Sequence, residues 1–153
     1  MMNSDHYSIG FQLGYTYRRA SNLFLSKLKP FDITPEQWSV LNQIAISEGL
    51  NQKEVAARLD KDQPTTTRIL DLLEKKGLIY REVSPHDRRA FLLHITESGQ
   101  ALLASTMPLE QECGRLISEG INSHEMELFK DILSRMNANL KGNEHNRRND
   151  IHE

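Results

Sequence analysis

The chain has 153 residues, 38% hydrophobic and 26% charged, with a formal net charge of −2, which fits one globular domain with its own core. No run approaches the roughly 20 apolar residues of a membrane span, and no basic-then-apolar leader opens the chain. The single cysteine, Cys113, excludes an internal disulfide and a cysteine-built zinc site. The expectation is a cytoplasmic protein with no membrane partner.

The charge is unevenly spread: 0 over residues 1–50, +2 over 51–95 and −4 over 96–153. The middle third is therefore the part suited to an anionic partner.

Along the chain, residues 8–28 place Ile9, Leu13, Tyr17, Ala20, Phe24 and Leu28 at helical spacing, ending before Pro30. Thr34-Pro35-Glu36-Gln37 has the form of a capping box with proline at the first helical position. The helix it opens carries Trp38, Leu41, Ile44 and Ala45 and stops at Gly49. Asn51 with Glu54 opens a short helix that turns Val55, Ala56 and Leu59 inward. Asp60-Lys61-Asp62 form a turn, and a second helix runs from near Pro64 to Lys76, with Gly77 as its stop.

The period then changes from 3.6 to 2. Residues 78–83 and 90–95 are expected to be two strands joined by the turn Ser84-Pro85-His86-Asp87-Arg88-Arg89. Thr96 opens a long helix that Pro108 is expected to kink and Gly120 to end. Asn122 begins a last helix reaching Leu140. From residue 142 the tail is polar and is expected to be disordered. The fold class is thus mainly α with a small β-hairpin (α+β).

Two short helices followed by a basic-tipped hairpin make a winged helix-turn-helix. The second helix fits the major groove of B-DNA, and the hairpin can reach the adjacent minor groove. With Ile69 taken as the core direction, Thr65, Leu72 and Leu73 point inward, and Gln63, Pro64, Thr67, Arg68 and Asp71 point outward. Thr66 lies on the border. Gln63, Thr67 and Arg68 are the candidate base readers; Thr65 and Thr66 are candidates for capping the helix or touching phosphates.

The run from Asn51 to Ile95 resembles the MarR/SlyA family. Its Asp87-x-Arg89 wing tip, its Leu73-Glu74-Lys75-Lys76-Gly77-Leu78-Ile79 helix exit and the order of elements carry that resemblance over residues 6–141. The resemblance implies a single domain in which 51–95 form the DNA-binding core and 8–28 with 97–141 form the dimerisation helices. It also implies a homodimer on a palindromic operator in double-stranded DNA. Arg89 would enter the minor groove, Asp87 would pair with a basic residue to orient the wing, and His86 and Arg88 would lie beside phosphates.

A repressor released by a small-molecule or stress signal is expected. Tyr15, Tyr17 and Trp38 are candidates for the effector pocket, although core packing is the stronger reading of them. Relatives that sense peroxide carry their cysteine in the first helix; here that helix has none, and Cys113 is expected to be a buried thiol. The six histidines do not cluster at metal-ligand spacing. No cofactor and no catalytic constellation is read from the chain, so it is not expected to be an enzyme. A winged-helix protein-interaction module without DNA binding is the alternative.

Overall fold

Side-chain caps set where the helices begin. In the computed structural model, which describes residues 8–149, Ser8 accepts from the Phe11 amide at the start of α1 (Ile9–Leu28). Thr34 and Gln37 exchange side-chain and backbone bonds as a capping box before α2 (Pro35–Ile46). Asn51 and Glu54 do the same before α3 (Gln52–Arg58). Asp62 caps α4 (Gln63–Lys75). Among the described residues the chain continues through β2 (Ile79–Val83), β3 (Phe91–Ile95), α5 (Glu97–Ile117) and α6 (Ser123–Asn149).

The sheet has one strand more than the hairpin. Leu50–Asn51 form β1, a two-residue strand that pairs antiparallel with β3 in the register Leu50↔Leu93 and Asn51↔Leu92. The order is β1-β3-β2, so β3 is central. Two residues cannot show a period, so this strand left no pattern to read.

Residues up to Cys113 form one compact unit and those from Gly114 a second. The first unit holds a core of Leu28, Val40, Leu41, Ile44, Val55, Leu70, Leu73, Ile79 and Leu93, with Ile69, Leu78, Ile95 and Leu103 around them. Each such side chain contributes about 1.5–3 kcal/mol on burial. Trp38 belongs to this core. Its ring meets Phe24 edge-on at 5.2 Å, and its Nε1–H donates to the buried Thr106 hydroxyl at 2.8 Å, tying α2 to α5.

α4 ends in a Schellman motif. The Gly77 amide bonds to the Glu74 carbonyl (2.9 Å) and the Leu78 amide to the Leu73 carbonyl (3.0 Å), with Gly77 at φ +72°. Glycine adopts that conformation without a Cβ clash, and the chain turns at once into β2. At the other end of the hairpin Thr96 returns to the same place. Its amide donates to the Leu78 carbonyl, and its hydroxyl donates to the Gly77 carbonyl and accepts from the Gly99 amide.

In the second unit the Gly120 turn (φ +80°) and a reciprocal Asn122/Glu125 cap precede α6. Arg135 pairs with Asp131 one turn earlier. The helix is described through Gly142 to Asn149, where disorder from residue 142 was expected. A lone glycine inside a helix costs only about 1 kcal/mol relative to alanine and does not by itself end one. Residues 150–153 of that tail, like residues 6 and 7 at the start of the expected domain, lie outside the described residues. α5 runs on through Pro108.

A Cβ at Gly99 would stand 2.2 Å from the Leu78 carbonyl oxygen and 2.7 Å from Ile95 Cγ1. Gly99→Ala is therefore expected to destabilise the protein by about 1–3 kcal/mol through overpacking, measured by urea unfolding. An unchanged midpoint would show that α5 is free to shift away from Leu78.

Candidate nucleic-acid interface

Asp62 organises the start of α4. Its carboxylate accepts from the Thr65 amide and the Thr65 hydroxyl, both at 2.8 Å. Those bonds, the backbone one above all, and the charge of Arg68 hold the Asp62 carboxyl below its ordinary value of 3.8. The N-terminus of α4, which looked from the sequence like an open phosphate site, is thus already occupied by an anion of the chain itself.

The three threonines of α4 divide by depth. Thr65, half-buried, is used in the cap. Thr66 is fully buried, and its hydroxyl donates back to the Asp62 carbonyl at 2.8 Å. Its side chain does not reach a DNA surface, contrary to its place among the candidate contacts. The buried row is Thr66, Ile69, Leu70 and Leu73, so the core direction is rotated from the one taken through Ile69 alone, and Leu72 is only half-buried. The i−4 bond satisfies the hydroxyl and lets a threonine sit there. Thr67 donates to the Gln63 carbonyl at 2.9 Å and accepts from Gln52 Nε2. Gln63, Pro64 and Arg68 are exposed.

Gln52 was not singled out from the sequence. It is the first residue of α3, and its amide nitrogen also lies 3.4 Å from Gln63 Oε1. It therefore braces the first turn of α4 from the helix before. Its position directly after the Asn51 cap was the available signal.

The hairpin tip exposes all four candidate residues, His86, Asp87, Arg88 and Arg89. Asp87 does not pair with a basic side chain among the described residues. Its carboxylate accepts from the Arg89 amide at 2.9 Å, and its carbonyl accepts from the Ala90 amide at 3.1 Å. An aspartate two residues before an amide closes an Asx-type turn more readily than it reaches a distant cation. Asp87 therefore shapes the loop that presents Arg88 and Arg89.

Helix and wing converge. Gln52, Lys53 and Gln63 share one cleft with Arg81, Arg89 and Phe91. Three cations of this region are committed: Lys61 to Glu36, Lys76 to Asp32, and Arg81 to Asp71 and Glu74. Among the described residues Lys53 and Arg58 on α3, Arg68 and Lys75 on α4, and Arg88 and Arg89 form no ion pair, and all six are exposed. The unneutralised positive charge therefore spans α3, α4 and the wing tip.

The expected effector trio is not brought together. Trp38 is only 7% exposed and packed in the core. Tyr15 and Tyr17 are exposed on α1, and two residues apart on a helix they point about 200° apart. Cys113 is buried. Burial pushes its thiol up and the Glu112 and Glu110 carboxylates add to the shift, against the pull of Lys27. Among the described residues no cluster of His, Cys, Asp and Glu is arranged to hold a metal, and no helix is long and apolar enough to cross a membrane.

Residues 31–90 match a family profile described as MarR family. Among solved structures, the chain is similar to a mutant MarR from E. coli complexed with operator DNA, with 25% identity over 84% of this chain and 92% of that one and a TM-score of 0.79. It is similar to the S. aureus MepR–DNA complex, with 27% identity over 88% and 99% of the two chains and a TM-score of 0.82. It is also similar to CouR, described as a transcriptional repressor bound to a 23-mer DNA duplex, with 30% identity over 89% and 96% and a TM-score of 0.80.

Two outcomes follow from this chemistry. The Asp62 cap has a lowered folded pKa, so its stabilisation is fully present above the ordinary value of 3.8 and lost as pH falls through the lower folded value. Asp62→Ala should lower the melting temperature at pH 6, and the gap to wild type should narrow progressively as the pH falls below 3.8. A pH-independent gap would count against the charged cap. The Cys113 thiol should alkylate at pH 8 at least about tenfold more slowly in the folded protein than in urea; equal rates would mean the thiol is accessible.

Proposed function

The chain belongs to the MarR family of winged-helix DNA-binding transcription regulators, and on that premise we propose that it is a homodimeric repressor that recognises a palindromic operator. The observation that carries this reading is the convergence of Gln63 and Arg89 on one cleft, with Arg68 on α4 and Arg88 at the wing tip exposed and without an ion pair among the described residues. Gln63 and Arg68 read base edges in the major groove, where glutamine matches adenine and arginine matches guanine in bidentate geometry. Arg89 enters the adjacent minor groove, and Arg88 and His86 lie against phosphates. Pro64, Thr65 and Thr67 border the same face.

Apolar side chains left in water support the dimer. α1 exposes Ile9 and Tyr17; the second unit exposes Ile121, Leu128, Phe129 and Leu140. A second copy covering both sets would bury what a lone chain leaves wet. A two-fold pair of recognition helices then sets the half-site spacing. Release by a small molecule requires a ligand that binds a dimer of the wrong spacing better than the operator-bound one. Such a protein works at the chromosome, in the cytoplasm.

Selection from random duplex DNA at about 0.15 M salt should enrich a palindrome whose half-sites lie about one helical turn apart. No enrichment would favour a winged-helix protein-interaction module. On the selected site, Arg89→Ala should weaken binding at fixed salt, and Gln63→Ala or Arg68→Ala should cost about 1–3 kcal/mol of discrimination at one base pair each. Discrimination that survives both changes would show that the reading face lies elsewhere on α4.

A further inference from the structure

Arg81 lies on β2, one strand position past the buried Ile79 on the same face, opposite Leu93 in the β2–β3 register. Its side chain is 20% exposed, and its guanidinium is split between two carboxylates of α4. Nη2 meets Asp71 Oδ1 at 2.8 Å, and Nη1 meets Glu74 Oε2. Asp71 and Glu74 stand three residues apart on the helix, so both face the same way. A planar fork satisfies two such acceptors at once, which a lysine ammonium does less well.

The position of this fork matters because of what lies on either side of it. Towards the base of the hairpin, Leu78, Ile79, Leu93 and Ile95 are held in the core. Towards the tip, the cross-strand pair Val83 and Phe91 is about half exposed, and among the described residues the bonds of the turn beyond stay within it. Arg81 is therefore the outermost polar tie between the hairpin and α4, and beyond it lies the tip that carries Arg88 and Arg89.

We propose that Arg81 is a positioning residue that fixes the wing relative to α4, so that the wing and the recognition helix engage one stretch of duplex together. The proposal deepens the DNA-binding reading, and its second test rests on that reading. The anchored end of the hairpin holds whether or not Arg81 is present; what the fork sets is the inclination of the tip.

Two measurements on the full chain test it, with Arg81→Gln and Arg81→Lys. Hydrogen exchange on the free protein comes first. Peptides covering the outer hairpin, residues 81–92, should exchange about tenfold faster in Arg81→Gln, with α2 and the anchored end unchanged, and Arg81→Lys should fall between it and wild type. Exchange within threefold of wild type over the hairpin overturns the tie, whatever the protein does with DNA. If Arg81→Gln does not fold, the lysine variant alone carries the test.

The second measurement is a double-mutant cycle on the selected operator. Arg89→Ala should cost about tenfold in affinity in the wild-type background and under threefold in Arg81→Gln, because a wing already out of register has little left to lose. Mere exposure of the Asp71 and Glu74 carboxylates to phosphates would instead give losses that multiply independently, and that outcome overturns the positioning role. A wild type that enriches no duplex would defeat the DNA-binding reading, and the exchange result would still decide the tie.

Discussion

The architecture depends on one junction, where the exit of α4, the end of β3 and the start of α5 share a few backbone groups. Thr96 donates its amide and its hydroxyl to the carbonyls of Leu78 and Gly77 and accepts from the Gly99 amide. Gly77 has to be in a left-handed conformation for α4 to stop there, and Gly99 has to lack a side chain for α5 to start against it. Recognition helix, wing and long helix thus leave from one point. The wing's base cannot drift from the helix it serves without breaking several hydrogen bonds together.

The charge distribution obeys a second constraint. A chain of net charge −2 presents a cationic face only if its cations are selectively left alone. Carboxylates neutralise Lys61 and Lys76 at helix ends and Arg81 within β2, whereas Lys53, Arg58, Arg68, Lys75, Arg88 and Arg89 form no ion pair among the described residues. Surface ion pairs contribute little to stability, so the effect of this partition is to decide where the field points.

Most elements could be read from the sequence because their ends carry chemistry. Thr34 with Gln37, and Asn51 with Glu54, are side chains whose hydrogen bonds start a helix locally. Gly77 ends one for equally local reasons. What escaped was settled by distant parts of the chain. β1 exists because Leu50 and Asn51 meet β3 some forty residues later. Leu70 is buried more deeply than Leu72 because α4 is covered from more than one side, so a single core direction through Ile69 was too narrow. Thr66 looked like a border residue because the angle was measured from Ile69 alone, whereas the buried row of Thr66, Ile69, Leu70 and Leu73 turns it inward. Within the interface the outward set Gln63, Pro64 and Arg68 and the exposed tip were legible. The brace from Gln52 and the fork at Arg81 were not, since both join elements that only the fold brings together.

The hydroxyl hydrogens of Thr65, Thr66 and Thr67 are all donated within the chain. Their rotamers are therefore fixed before any ligand arrives, and ordering them costs no further entropy. Arg68, Arg88 and Arg89 have no such restraint and can each lose up to about 2 kcal/mol of rotamer freedom on being held. The binding face thus combines a stiff floor with a few mobile arms. Its association should carry an unfavourable entropy concentrated in three arginine side chains, so a change that stiffened one of those arms in its bound posture would tighten binding without adding a contact.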